Sequence, residues 1–336
     1  MWPEQFNWLL DRVQDKLQKR SRRTPLDPKL RLQENQQHTL LYLRPVRQFG
    51  KHCNRYFYHL WIKVHGRRSP GFFDKWQFPN CLGAIDEVHI RIKAPPRSGS
   101  EFFNYKGYFS IVLLDTCDAE YKFTWVDIGQ YGSISDGGVW SNTHFKQNLE
   151  ERKANLPPPT LLPGTTMLFP YVFVADEAFP LSNYMMRPFP KRNDKMTDNE
   201  RIFNYRLFRA RKVIENTFGI MKAKWQILHS CISCSPKNAE LIVKALVCLH
   251  NFMMISGRAE YCPPGLTDTE QNNGEIQRGT WRDSQTIFHR LGRVGANRST
   301  RIAYDMRNYL MQYFVSEIDK EQAPWQYERT FRIHQL

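Results

Sequence analysis

The sequence lacks the features that mark several large classes of protein. No uncharged apolar run is long enough to cross a bilayer. The most hydrophobic stretch, 239–255, carries Glu240, Lys244 and His250 and has the spacing of an amphipathic helix, so no membrane span is expected. The first residues, Met-Trp-Pro-Glu-Gln, offer neither a basic n-region nor an apolar h-region. The seven cysteines, at 53, 81, 117, 231, 234, 248 and 262, are odd in number and scattered. A reducing compartment is therefore expected, not a disulfide framework. There is no GxSxG elbow, P-loop or GxGxxG, which weighs against serine hydrolases, NTPases and dinucleotide enzymes. Internal repeats are absent as well.

Acidic residues are also in short supply. Against 48 Lys and Arg stand 33 Asp and Glu, leaving a net charge of +15 and a pI near 9.5. Such a balance suits a polyanionic partner, because neutralising phosphates releases condensed counterions. The excess is concentrated at one end. Residues 1–75 hold 16 basic and six acidic side chains, +10 of the +15. Lys19, Arg20, Arg22 and Arg23 form a cluster compatible with a nuclear address, so a nuclear location is expected, with the cytoplasm as a second compartment.

With 41% hydrophobic and 14% aromatic residues, the chain has the material for a core. Apolar spacing predicts helices over 4–19, 33–43 and 49–64, a small basic helical region within 1–75. From Asn80 the pattern turns to strands: 82–92 (LGAIDEVHIRI), 109–114 and 121–128, the last two joined by a polar turn at 115–119. A helix over 139–152, a proline-rich loop over 156–163 and a wholly apolar strand at 171–175 follow. Asp198 is a candidate N-cap for a long helix over 201–225, whose stripe runs through Leu207, Ala210, Ile214, Phe218 and Met221. Further helices are predicted over 238–255 and 298–317, with a flexible linker over 258–279. The expected organisation is a basic region (1–75), an α/β domain with a helix-covered mixed sheet (76–257), and a linker with a C-terminal helix (258–336).

Three acids fall at distinctive places: Asp86 within a strand, Asp176 at the end of a buried strand, and Glu215 at the border of a helix stripe. Buried acids need a partner, and converging carboxylates repel one another. A hard divalent cation such as Mg²⁺ or Mn²⁺ would relieve that repulsion, and two such ions ~3.5–4 Å apart could clamp a phosphodiester. Each acid also has a plainer reading. Asp86 could pair with His89 or Arg91, Asp176 could cap a turn, and Glu215 could bridge to Arg211. The basic side chains of the long helix (Arg206, Arg209, Arg211, Lys212, Lys222 and Lys224) could line a DNA channel, with Arg209, Arg211, Lys212 and Lys222 the expected contacts, or form a solvated face.

The flanking blocks separate these readings. PNCLGAIDEVHI, Ser135-Asp136-Gly137-Gly138-Val139-Trp140, VADEAFPL, RKVIENTFGIMKAKW and VCLHNFM occur in that order. This series resembles the PIF/Harbinger transposases and the nucleases derived from them, members of the DDE endonuclease superfamily. The likeness covers about residues 1–257 and is strongest from 78 to 253. It implies a ribonuclease H-like fold and a divalent-metal-dependent DNA endonuclease or transposase. Asp86, Asp176 and Glu215 would be its carboxylate triad, Asp136 a supplementary ligand, and two Mg²⁺ or Mn²⁺ ions its cofactors. It also implies a separate Myb-like partner protein, and homo-oligomers are compatible with it. Glu87 and Ala175 stand where the family carries glycine, and the helix-turn-helix region is shortened near 50–72. These departures keep a second reading open, a domesticated DNA-binding or protein-recruiting factor. Cys231 and Cys234, with His229, Cys248 and His250, have zinc-compatible spacing, but the resemblance assigns 247–253 to an apolar helical block, so zinc is the weaker reading.

Overall fold

A computed structural model describes residues 71–190, 196–271, 275–283 and 299–331. Of the basic region predicted for 1–75, residues 1–70, with the charged cluster and nearly all of the shortened helix-turn-helix, lie outside the described residues.

The centre of the fold is a mixed sheet of five strands. β1 (Cys81–Arg91), β2 (Ser110–Cys117) and β3 (Phe123–Tyr131) form an antiparallel meander. β4 (Val172–Val174) and β5 (Met185–Met186) add to the other edge of β1, each parallel to its neighbour. The spatial order is therefore 3-2-1-4-5. Every residue of β2 is buried, as expected for a strand with neighbours on both edges and helices on both faces. Its polar pair, Asp115 and Thr116, is why a hydrophobicity-based boundary stops at Leu114. The turn falls later, where the Asp118 carboxylate accepts the backbone N–H of Glu120 and Lys122.

Alternation along β1 and β2 sends side chains to two cores. On one face Ala84, Val88, Ile90, Ile111 and Leu113 share a core with three helices. α4 (Asp198–Lys224) and α5 (Pro236–Ser256) lie on the sheet, and α7 (Arg301–Phe314) packs on α4. On the other face Leu82, Ile85, Val112 and Leu114 meet Val139, Trp140, Phe145 and Leu149. Those four belong to α2 (Asp136–Ser141) and α3 (His144–Glu150). The single helix predicted over 139–152 is thus two, because the Thr143 hydroxyl caps Lys146 and opens a new helix.

The long helix begins one residue after Thr197, which caps it in place of Asp198. The Thr197 side chain accepts from the Glu200 backbone while Glu200 reaches back to the Thr197 N–H, a reciprocal capping box. Asp198 and Glu200 in the first turn and Lys222 and Lys224 in the last suit the helix dipole. Among the described residues α5 is long and apolar enough to cross a membrane, but more than half of that length is buried within the fold. Its hydrophobicity is accounted for by packing on the sheet.

The described C-terminal residues are packed, contrary to the linker predicted over 258–279. After α6 (Arg258–Tyr261) comes a two-residue hairpin, Thr269–Glu270 with Ile276–Gln277, and then a 3₁₀ turn at Thr280–Asp283. Leu266, Asp268 and Trp281 are buried against α4. Beyond α7, α8 (Glu317–Lys320) and α9 (Gln326–Phe331) return to α4 and to α1 (Gly71–Trp76) through the buried Arg206.

Candidate active site

β4 runs parallel to β1 with Val174 beside Ala84. Two residues later Asp176 leaves the strand next to the middle of β1, where Asp86 faces α4. The helix supplies Arg211 and Glu215, one turn apart on the same face. Arg211 donates from Nη1 to Asp86 Oδ2 at 3.1 Å and from Nη2 to Glu215 Oε1 at 2.5 Å. Asp176 is close enough that its charge acts on both Asp86 and Arg211. Its Oδ1 also accepts the Ala178 N–H at 2.8 Å, so the turn-capping role exists alongside the acidic cluster.

The electrostatics follow from this crowding. Burial raises the Asp86 carboxyl to about 7; Arg211 opposes the shift, while Asp176 and Glu215 add to it. Burial disfavours the Arg211 charge, yet Glu215, Asp86 and Asp176 more than offset it and raise the guanidinium pKa. Asp86 and Glu215 side chains remain 15% and 17% exposed, so the cluster opens to solvent. Glu87 points to the opposite face of the sheet, as strand alternation requires, and so does not crowd the acids. Ala175 is fully buried, and glycine is not needed before Asp176.

A fourth acid does not stand out in the sequence. Asp115 on β2 lies directly across from Asp86, is fully buried, and has no hydrogen-bond partner on either oxygen among the described residues. Burial, and then the Asp86 charge, push its carboxyl well above the usual range. The signal is present as a carboxylate inside SIVLLDTC, but a strand ended at Leu114 places it in a turn. Asp115→Leu is expected to stabilise the protein by ~1–3 kcal/mol, because it removes an unpaired buried polar group. Urea unfolding measures this, and a loss of similar size would show that Asp115 has a partner the fold depends on.

The side chain of Asp136, which opens α2, lies outside the described residues. The cations of α4 do not make an exposed strip: Arg209, Arg211, Lys212 and Lys222 are all buried. Arg209 pairs with Glu270 and stacks over Trp325, and Lys212 pairs with Asp268 at 3.2 Å. Burial pulls Lys222 down to about 8. Helix cations facing other elements are neutralised by acids from those elements, which a helical wheel cannot foresee. His250 is not arranged as a zinc ligand; it is buried between the Tyr121 carbonyl and the Tyr261 hydroxyl.

Whether the acids suit a divalent cation turns on two observations. Among the described residues no three carboxylates, imidazoles or thiols are gathered closely enough to ligate one ion as placed, and Arg211 provides the positive charge between them. The donors are nevertheless carboxylate oxygens whose mutual repulsion is evident at Asp86, the chemistry a hard cation relieves. The donor set fits such an ion.

Residues 85–251 match the family model described as DDE superfamily endonuclease. An ALP1-like protein of Arabidopsis thaliana is 28% identical over 179 residues, covering 52% of this chain and 43% of that protein. A candidate nuclease of Homo sapiens, HARBI1, is 25% identical over 203 residues, 60% of this chain and 53% of its own. The Arabidopsis thaliana protein named Antagonist of Like Heterochromatin Protein 1 is 26% identical over 189 residues, 55% of this chain and 47% of its own. The chain spans about half the length of these relatives. No solved structure matches it. The matched segment begins one residue before Asp86 and encloses Asp176 and Glu215; the match and these relatives together support the family that the sequence blocks resemble, the DDE superfamily endonucleases with the Harbinger transposase-derived nucleases.

Proposed function

We propose that the chain is a divalent-cation-dependent nuclease that cuts DNA phosphodiester bonds at the cluster of Asp86, Asp176 and Glu215. The observation that carries the reading is the convergence of these three acids, from mid-β1, the end of β4 and α4, on one guanidinium. Strand order 3-2-1-4-5, with the first three strands antiparallel and the last two parallel to β1, supports the finer assignment to a ribonuclease H-like fold. A net charge of +15 supports a nucleic-acid substrate. A nuclear location and a Myb-like partner protein belong to the same proposal.

Asp86, Asp176 and Glu215 would hold Mg²⁺ or Mn²⁺. When bound, the cation supplies Lewis-acid stabilisation of phosphate oxygens. The chain's own groups orient the site. Arg211 holds the Asp86 and Glu215 carboxylates in register and balances their charge, and the Ala178 N–H fixes the Asp176 carboxylate.

Supercoiled-plasmid nicking with Mg²⁺ or Mn²⁺ tests the proposal. Asp176→Ala is expected to lower the rate about a hundredfold, ~2.7 kcal/mol on the barrier. Equal nicking by the two proteins overturns it. One observation favours a second reading, a DNA-binding or recruiting factor without catalysis: Arg211 already pairs with two of the acids and offsets part of their charge without an ion. Tight DNA binding by a wild-type protein that does not nick would select that reading.

A further inference from the structure

The segment C-terminal to the family match does more than cover α4. Residues 265–271 and 275–283 lie beyond the 85–251 match, so the match assigns them no role. They are docked by specific interactions. Asn216, the residue after Glu215, accepts the Asp268 backbone N–H at 3.0 Å and the Trp281 indole N–H at 3.1 Å. The Trp281 ring lies flat enough on α4 that a Cβ at Gly219 would stand 2.3 Å from it. This strap brings Arg282 to the acids, with Nη2 3.6 Å from Glu215 Oε2, on the carboxylate oxygen that Arg211 does not take.

Arg282 is held from behind. The buried Asp268 carboxylate accepts from Nε at 2.9 and 3.0 Å and from Nη2 at 2.5 Å, and the guanidinium stacks on the Trp281 ring at 4.2 Å. Asp268 is itself steadied by the Gly279 N–H and the Lys212 ammonium. The Arg282 side chain is 34% exposed, against 4% for Arg211, and its Nη1 edge carries no bond to the described residues. An immobilised guanidinium with one open edge, beside acids that would repel a polyanion, is suited to phosphate, since the planar fork can give two parallel bonds to phosphate oxygens.

We infer that Arg282, presented by the strap of residues 265–271 and 275–283, is a phosphate-contacting residue for the DNA strand that enters the carboxylate site. The inference rests on the nuclease reading for its substrate but not on catalysis for its test. Fluorescence anisotropy of a labelled 20-base-pair duplex, in EDTA and from ~50 to ~300 mM salt, gives the salt slope of binding. Removing one phosphate-neutralising cation from a B-DNA complex lowers that slope by ~0.9. Arg282→Gln is expected to flatten the slope by about one and raise Kd severalfold at ~100 mM salt.

A residue that only latches the strap would lower the melting temperature and leave the slope unchanged, and that result overturns the inference. If Arg282→Gln does not fold, Arg282→Met decides, because it keeps an unbranched stem beside Trp281 and removes the charge. A slope flattened by about one supports the role, and a wild-type slope refutes it. Wild-type nicking together with an unchanged slope in Arg282→Gln sinks the Arg282 role and spares the nuclease. Absence of nicking together with a flattened slope does the reverse, and a wild-type protein that does not bind the duplex sinks both.

Discussion

Asp319→Ala is expected to destabilise the protein by ~3–5 kcal/mol, the range for breaking a buried ion pair from one side. Arg206 and Asp319 are both fully buried, and Arg206 Nη1 donates to Asp319 Oδ2 at 2.7 Å. The same guanidinium donates to Gln326 Oε1 at 2.8 Å and to the Gln77 carbonyl, and lies over the Phe314 ring at 4.4 Å. The end of α1 and the helices α4, α7, α8 and α9 therefore meet at one cation. Removing its carboxylate leaves the charge in a site that water does not reach, whereas removing both charges does not. The double variant Arg206→Met with Asp319→Leu should recover most of the loss. Urea melts of the three proteins supply the comparison, and a single-variant cost below ~1 kcal/mol would contradict the account.

Acid lability is the second large expectation, and it centres on His250. The ring is fully buried, with Nε2 2.7 Å from the Tyr121 carbonyl and Nδ1 3.1 Å from the Tyr261 hydroxyl. Nε2 thus carries the proton of a neutral imidazole and Nδ1 accepts from the tyrosine. Burial pulls the pKa from 6.5 down to about 4, partly opposed by the Tyr121 carbonyl. The folded value lies below the unfolded one, so the unfolded chain takes up the proton first. Stability from this group is complete above pH 6.5 and is lost as pH falls to about 4. Over that window the loss is ~3 kcal/mol at ~1.36 kcal/mol per pH unit. His89, also lowered to about 4, acts in the same sense, so a variant is needed to isolate His250. His250→Gln keeps a donor for the Tyr121 carbonyl and cannot titrate. Its unfolding free energy should fall less steeply from about pH 7 to about 4.5 than that of the wild type, and parallel curves would exclude the mechanism.

The parts of this architecture that can be read from the sequence are those fixed by local rules. Alternation locates β1, the apolar run locates β4, and the stripe from Leu207 to Met221 locates α4. Asp86, Asp176 and Glu215 are conspicuous as acids in apolar surroundings. What escapes depends on partners distant in sequence. β5 is two residues long and exists as a strand only through pairing with β4. Asp115 reads as a turn residue unless β2 is known to be covered on both sides. The strap is polar and carries Gly265 and Gly279 but few apolar side chains, and its order comes from Trp281 and Asp268 meeting Asn216 on another element. The basic face of α4 reads as exposed for the same reason, since Glu270, Asp268 and Asp319 all come from beyond residue 258.

That strap also has a temporal consequence. Asp86 and Arg282 are separated by nearly two hundred residues, and the Arg206–Asp319 pair spans 113. A ribosome adding ~5–20 residues per second leaves the acids on β1, β4 and α4 without their C-terminal counterions for several seconds after α4 has emerged. During that interval the nascent chain presents Asn216, Gly219 and the uncovered side of α4 as sticky surface. The strap acts as a late fastening, and a message cut short before codon 282 would lack both Arg282 and the Asp319 carboxylate that the buried Arg206 needs.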